Sequence, residues 1–182
     1  MTSFAQLPKN LPVPEDDGLC DHLIGLPLPD LDLRATDGSS VNLSGQKNKT
    51  VIYCYPMTGK PGVALPEGWD DIPGARGCTP QSCSFRDHYA ELSALGADVF
   101  GVSTQDTVYQ QEMAERLHLP FLVLSDAGFG FCEALKLPTF MVGGMRLIKR
   151  VTMIAENGVV IKYRYPVFPS DSDPAWVLDQ LS

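Results

Sequence analysis

Two cysteines five positions apart, Cys78 and Cys83 in the stretch GARGCTPQSC at residues 74–83, are the side chains whose type and spacing could carry chemistry. They could be a metal clamp, a structural disulfide or a reactive thiol pair. Behind the glycine-rich turn, Thr79 as N-cap and Pro80 at the first helical position predict a helix. Its apolar positions are Phe85, Tyr89, Leu92 and Leu95, and Gly96 ends it. Cys78 then lies just before or in the first turn, where unpaired backbone N–H groups and the positive end of the helix dipole favour a thiolate. Cys83 falls inside the same helix. Five residues of intact helix hold two Cα atoms roughly 8.6 Å apart, beyond the span of about 7 Å that a disulfide tolerates. Joining the pair therefore requires the first turn or two to unwind, which suits a redox switch better than a staple. A metal clamp is disfavoured because Cys78, Cys83 and His88 repeat every five residues, spread around the helix, with no second two-ligand cluster elsewhere. The remaining alternative, cysteines acting as small buried hydrophobes, suits Cys54 and Cys132 in their apolar segments better than Cys78 between Gly77 and Thr79.

The elements that must position this pair follow from pattern. The chain has 182 residues, 44% of them hydrophobic, enough for one well-buried core. Residues 1–24, with prolines at 8, 12 and 14, read as an irregular arm, and residues 25–182 as one domain. Residues 26–45 suggest a short hairpin, and TVIYCYP at 50–56 a buried central strand closed by proline. A long loop rich in glycine and proline leads to the cysteine helix, and loops of this length in compact domains are usually functional or mobile. Strand 98–104, helix 107–119, a strand in PFLVLSD and a short helix around 128–137 come next. Two strands within residues 146–168, joined by Asn157-Gly158, and a terminal helix from Asp173 complete the order. This predicts an α/β fold with a mixed sheet, parallel first and antiparallel at the end, and helices on both faces.

The net charge of −8, without a basic block, argues against binding nucleic acid through its phosphates. No apolar stretch approaches the length of about 18 residues needed to span a membrane, and the first residues lack a signal-like pattern. Five cysteines, an odd count in a chain that needs no staples, suggest a cytoplasmic protein with reduced thiols.

The strand ending in Tyr55-Pro56, the cysteine at a helix start, the second cysteine followed by SFRD, and KRVTMIAENGVV at 149–160 together resemble peroxiredoxins. The C-x4-C spacing is similar to the bacterioferritin comigratory protein or peroxiredoxin Q type, over residues 25–181. The resemblance implies a thioredoxin-like fold, Cys78 as the peroxidatic and Cys83 as the resolving cysteine of an intrahelical disulfide, and Arg150 as the arginine that assists from a later strand. It also implies a hydroperoxide substrate, thioredoxin or a similar dithiol as reductant, and no metal or organic cofactor. The family's P-x-x-x-T-x-x-C motif is interrupted here. Pro56 stands 22 residues before Cys78, and the position three before it is Ala75. Pro56 and Thr58 are the candidates for the missing proline and hydroxyl, with Pro73 and Thr79 as substitutes. His22, His88 and His118 read as packing or surface residues, LPTF at 137–140 as a turn ending a helix, and Cys20 as a less favoured resolving thiol. Resolution within one helix needs no second subunit, so a monomer is expected. A thioredoxin-like disulfide oxidoreductase, which would normally show C-x-x-C, and a non-catalytic peroxide-sensing redoxin are the rivals.

Overall fold

A computed structural model describes residues 6–182. In chain order its strands are β1 (Asp32–Ala35), β2 (Ser40–Asn42), β3 (Lys49–Cys54), β4 (Ala97–Ser103), β5 (Leu122–Ser125), β6 (Thr139–Val142), β7 (Met145–Ile148), β8 (Val151–Glu156) and β9 (Val159–Arg164). The helices are α1 (Cys78–Asp87), α2 (Tyr89–Ala94), α3 (Thr107–Leu117), α4 (Gly130–Ala134) and α5 (Asp173–Leu181). Residues 6–31 contribute one isolated bridge, Pro27 to Val159, and otherwise run without helix or strand. Residues 1–5 of the expected arm lie outside the described residues.

The sheet grows outward from β3, whose run of β-branched and aromatic residues is buried from Thr50 to Cys54. It pairs in parallel with β4 and antiparallel with β8, giving the order β2-β1-β5-β4-β3-β8-β9. Because side chains alternate along a strand, β3 feeds two cores. Val51 and Tyr53 point to one face, where Phe85 of α1, Leu92 of α2, Met113 and Leu117 of α3, and Val177 and Leu181 of α5 pack. Ile52 and Cys54 point to the other, covered by Phe131 and Cys132 of α4 and by Cys20, Leu23 and Leu28 of the N-terminal segment. Tyr53 and Phe85 stack with ring centroids 4.5 Å apart, fixing α1 against the central strand. Gly101, directly across from Tyr53 in β4, leaves room for that ring, since a Cβ there would lie 2.8 Å from the Tyr53 hydroxyl.

The mixed sheet with helices on both faces is as expected, and Asn157 and Gly158 turn β8 into β9 with φ of 50° and 75°, the paired positive angles of a tight hairpin. Three local readings change. The N-cap of α1 is Gly77, in the left-handed region at φ 110°, rather than Thr79, so the helix begins at Cys78. That helix also breaks at His88 (φ −100°, ψ 3°) instead of running to Gly96, and resumes as α2. Residues 145–148 are not part of the terminal hairpin; they pair with β6 in a separate two-stranded ribbon turned by Gly143-Gly144. LPTF does follow the end of α4, and its threonine opens β6.

Candidate active site

Cys78 opens α1 at the end of the loop that follows the central strand. The turn into the helix is held by Ser170, whose hydroxyl donates to the Gly77 carbonyl at 2.8 Å. The fit is close enough that a Cβ on Gly77 would sit 2.2 Å from Ser170 Oγ, so only glycine suits both the backbone angle and the space. Cys78 is 3% exposed.

Arg150, immediately before β8 and equally buried, donates from Nη2 to Cys78 Sγ at 3.1 Å. The same Nη2 lies 3.2–3.3 Å from the carbonyl oxygens of Gly74, Ala75 and Arg76, so its two hydrogens are shared between the sulfur and the backbone leading into the helix. Nη1 donates to Gln81 Oε1 one turn along α1. Gln81 Nε2 in turn donates to Asp173 Oδ2 at 2.7 Å, as does the Thr152 hydroxyl at 2.5 Å, and Arg164 approaches the other carboxylate oxygen at 3.4 Å. Burial pushes the Asp173 carboxyl up, while the bonds from Thr152 and Gln81 and the charges of Arg164 and Arg150 pull it back. Sulfur, guanidinium, amide and carboxylate thus form one buried chain in which each neighbour fixes the next. This arrangement can hold a thiolate and place a cation beside an oxygen that reacts with it.

The other expected residues fall less uniformly. Cys83 sits half-buried in the same intact helix, and both cysteines are free thiols. Burial raises the Cys83 thiol above its ordinary value, partly offset by the Arg86 charge. Pro56 is buried at the end of the central strand, whereas Pro73 is exposed. Thr58 is buried, but its N–H and hydroxyl both donate to Gln105 Oε1, at 2.9 and 3.2 Å, and its carbonyl accepts from Gln105 Nε2 at 3.3 Å. What meets the sulfur from three residues upstream is the Ala75 carbonyl, 3.6 Å from Sγ. A carbonyl accepts and cannot donate, so it bonds only a sulfur that carries its hydrogen, whereas Arg150 can donate to the sulfur with or without it. Thr79 lines the same small cavity as Cys78.

Cys20, Cys54 and Cys132 pack together on the opposite face of the sheet. Burial pushes Cys20 up to about 12 and Cys132 up to about 11. The sheet thus stands between Cys20 and the Cys78–Cys83 pair. His22 and His88 each bond a backbone carbonyl at 2.8 Å, and His118 ends α3 in the left-handed region. Gln81, Thr152, Arg164 and Asp173 are members of the site that sequence reasoning missed. Gln81 alone had a signal, three residues after Cys78 on a predicted helix and hence on the same face.

A cysteine at the start of a helix that follows the central strand of a mixed sheet, with a guanidinium on its sulfur, marks a thiol-redox site of thioredoxin-like architecture. A family model described as Redoxin matches residues 24–180. Peroxiredoxin Q of rice (Oryza sativa subsp. japonica), a chloroplastic protein, is 33% identical over 142 residues, which cover 78% of this chain and 58% of that protein. A bcp peroxiredoxin of Coxiella burnetii is 30% identical over 165 residues, covering 87% of this chain and 97% of that one. Among solved structures, peroxidoxin BcpB from Mycobacterium tuberculosis superposes with a TM-score of 0.70 at 23% identity, covering 87% and 95% of the two chains. The chain belongs to the redoxin family, within its peroxiredoxin Q and bcp group. It spans little more than half the length of the plant relatives.

Proposed function

We propose that the protein is a thiol peroxidase that reduces hydroperoxides through Cys78 and resolves the product with Cys83. The observation that carries this reading is the 3.1 Å approach of the buried Arg150 guanidinium to a cysteine sulfur at a helix N-terminus. The Cys78 thiolate attacks the terminal oxygen of a hydroperoxide, and an S–O bond forms as the O–O bond breaks. Sulfur gives up two electrons, and the departing alkoxide or hydroxide takes a proton and leaves as alcohol or water. Arg150 stabilises the thiolate and then the negative charge on the leaving oxygen, and the first amides of α1 hold the peroxide.

Cys83, as thiolate, then attacks the sulfur of the Cys78 sulfenic acid; the S–S bond forms as the S–O bond breaks, and the departing hydroxide takes a proton from solvent to leave as water. In the intact helix the two Cα atoms stand roughly 8.6 Å apart, so the first turns of α1 must open. This breaks the bonds from Ser170 to Gly77, from Gln81 to Asp173 and from Ser84 Oγ to the Asp171 carbonyl at 2.7 Å. A dithiol reductant, thioredoxin by the usage of the family, returns both cysteines to thiols by exchange. A monomer in a reducing cytoplasm is the setting this reading favours, because resolution stays within one helix. Among the described residues no helix is long and apolar enough to cross a membrane.

Peptide mapping after one equivalent of hydrogen peroxide tests the assignment. The wild type should yield a Cys78–Cys83 disulfide, and Cys83→Ser a Cys78 sulfenic acid that a cyclic diketone traps. Trapping at any other cysteine would overturn it.

A further inference from the structure

The residues between Pro56 and Cys78, about fifteen more than the family motif allows, form a wall over the reactive sulfur. The cavity beside Cys78 has a volume of only about 10 Å³, and Met57, Gly59, Leu65 and Trp69 of this segment line it together with the first residues of α1. That is room for about one water molecule.

The wall is anchored at several points. Thr58 is clamped by Gln105, and the Gly59 carbonyl accepts from Arg116 Nη2 at 3.3 Å. Trp69, 3% exposed, packs with Ala75, Val142 and Leu147, its ring 6.2 Å from that of Phe140, so the β6–β7 ribbon serves as its seat. Arg76 pairs with Asp70 at 3.0 Å, tying the wall to the entrance of α1. A roomier groove of about 360 Å³ lies along Val13, Ile72, Phe140 and Arg150; Cys78 does not line it, and Arg150 both borders the groove and touches the sulfur. A hydroperoxide with a bulky tail therefore reaches the sulfur either by displacing Leu65 and Trp69 or by moving the Arg150 guanidinium that the reaction uses, whereas hydrogen peroxide, with no tail, needs little more than the space already present.

We propose that Met57, Leu65 and Trp69 form a size gate over Cys78 that makes hydrogen peroxide the preferred substrate over hydroperoxides carrying tertiary alkyl or aryl groups. This deepens, and rests on, the thiol-peroxidase reading. The test is the second-order rate of Cys78 sulfenic acid formation, followed by rapid mixing with hydrogen peroxide and with cumene hydroperoxide, in the wild type, Leu65→Ala and Trp69→Ala. The wild type should favour hydrogen peroxide by about tenfold or more, and each variant should shrink that ratio by a similar factor through a faster reaction with the bulky substrate. Leu65 is only partly buried, so its variant reports even if Trp69→Ala fails to fold. Equal wild-type rates with the two substrates, or a ratio that Leu65→Ala leaves unmoved, would overturn the gate while leaving the peroxidase reading standing. Failure of both peroxides to oxidise Cys78 would overturn both.

Discussion

At the scale of single residues, the proposed chemistry turns on one guanidinium shared between a sulfur and three backbone carbonyls. Replacing Arg150 with methionine removes the cation from the leaving oxygen and should slow Cys78 oxidation by about 10²–10³-fold, measured by stopped-flow against hydrogen peroxide. Arg150→Lys should recover little of this, because a single ammonium cannot serve the sulfur, the carbonyls and Gln81 together. Under the proposed resolution, Cys83 sets the pH behaviour of the next step. Its thiol is raised by burial, so at neutral pH the nucleophilic thiolate is a minor form whose share grows as pH rises. Disulfide formation after a peroxide pulse should accelerate between pH 7 and pH 9, by up to about tenfold per unit. A flat profile would mean that helix opening, rather than Cys83 ionisation, limits resolution. Cys78 and Cys83 stood out in the sequence because thiols at that spacing are a chemical signal, whereas Arg150 was marked only by the resemblance of KRVTMIAENGVV to the family. The Asp173 end of the chain was hidden because a lone aspartate starting a helix looks like an ordinary cap.

At the scale of elements, the proposed chemistry requires α1 to be stable enough to hold the thiolate and loose enough to open. Its first turn owes its position to Gly77, where left-handed backbone meets the Ser170 hydroxyl. Gly77→Ala should lower stability by about 1–3 kcal/mol, read as a shifted urea midpoint. The strands and helices with strong periodicity were legible, as was the Asn157-Gly158 hairpin. The β6–β7 ribbon was not, although Gly143-Gly144 between two short runs carried a hairpin signal, because MRLI reads equally well as the start of the strand that follows. The displaced N-cap has a similar cause. Thr79 has the preferred residue type, but the backbone turn and the contact with Ser170 lie two residues earlier, where no pattern in sequence marks a tertiary contact.

At the scale of the whole molecule, the sheet separates two populations of cysteine. Cys78 and Cys83 lie with the helices of one face, and Cys20, Cys54 and Cys132 are sealed in the other core. Packing on the Cys78 face also holds the fold together. Phe85, fully buried and stacked on Tyr53, ties α1 to β3, and Phe85→Ala should cost about 3–5 kcal/mol in chemical denaturation. The general architecture followed from the order of patterned segments. The inserted wall over Cys78 did not, since a segment rich in glycine and proline has no period, and its shape depends on Trp69 finding a seat on a ribbon some seventy residues away.

The most direct test of the central claim is hydrogen peroxide consumption at substoichiometric protein, coupled to thioredoxin and its reductase. The wild type should consume many equivalents per chain. Cys78→Ser should consume none above background, and Cys83→Ser should stall after about one turnover with this reductant. Sustained consumption by Cys78→Ser, or a wild type that stops after a single equivalent while reductant remains, would contradict the account. The first result would remove Cys78 from the chemistry, and the second would mark the protein as a sensor rather than a peroxidase.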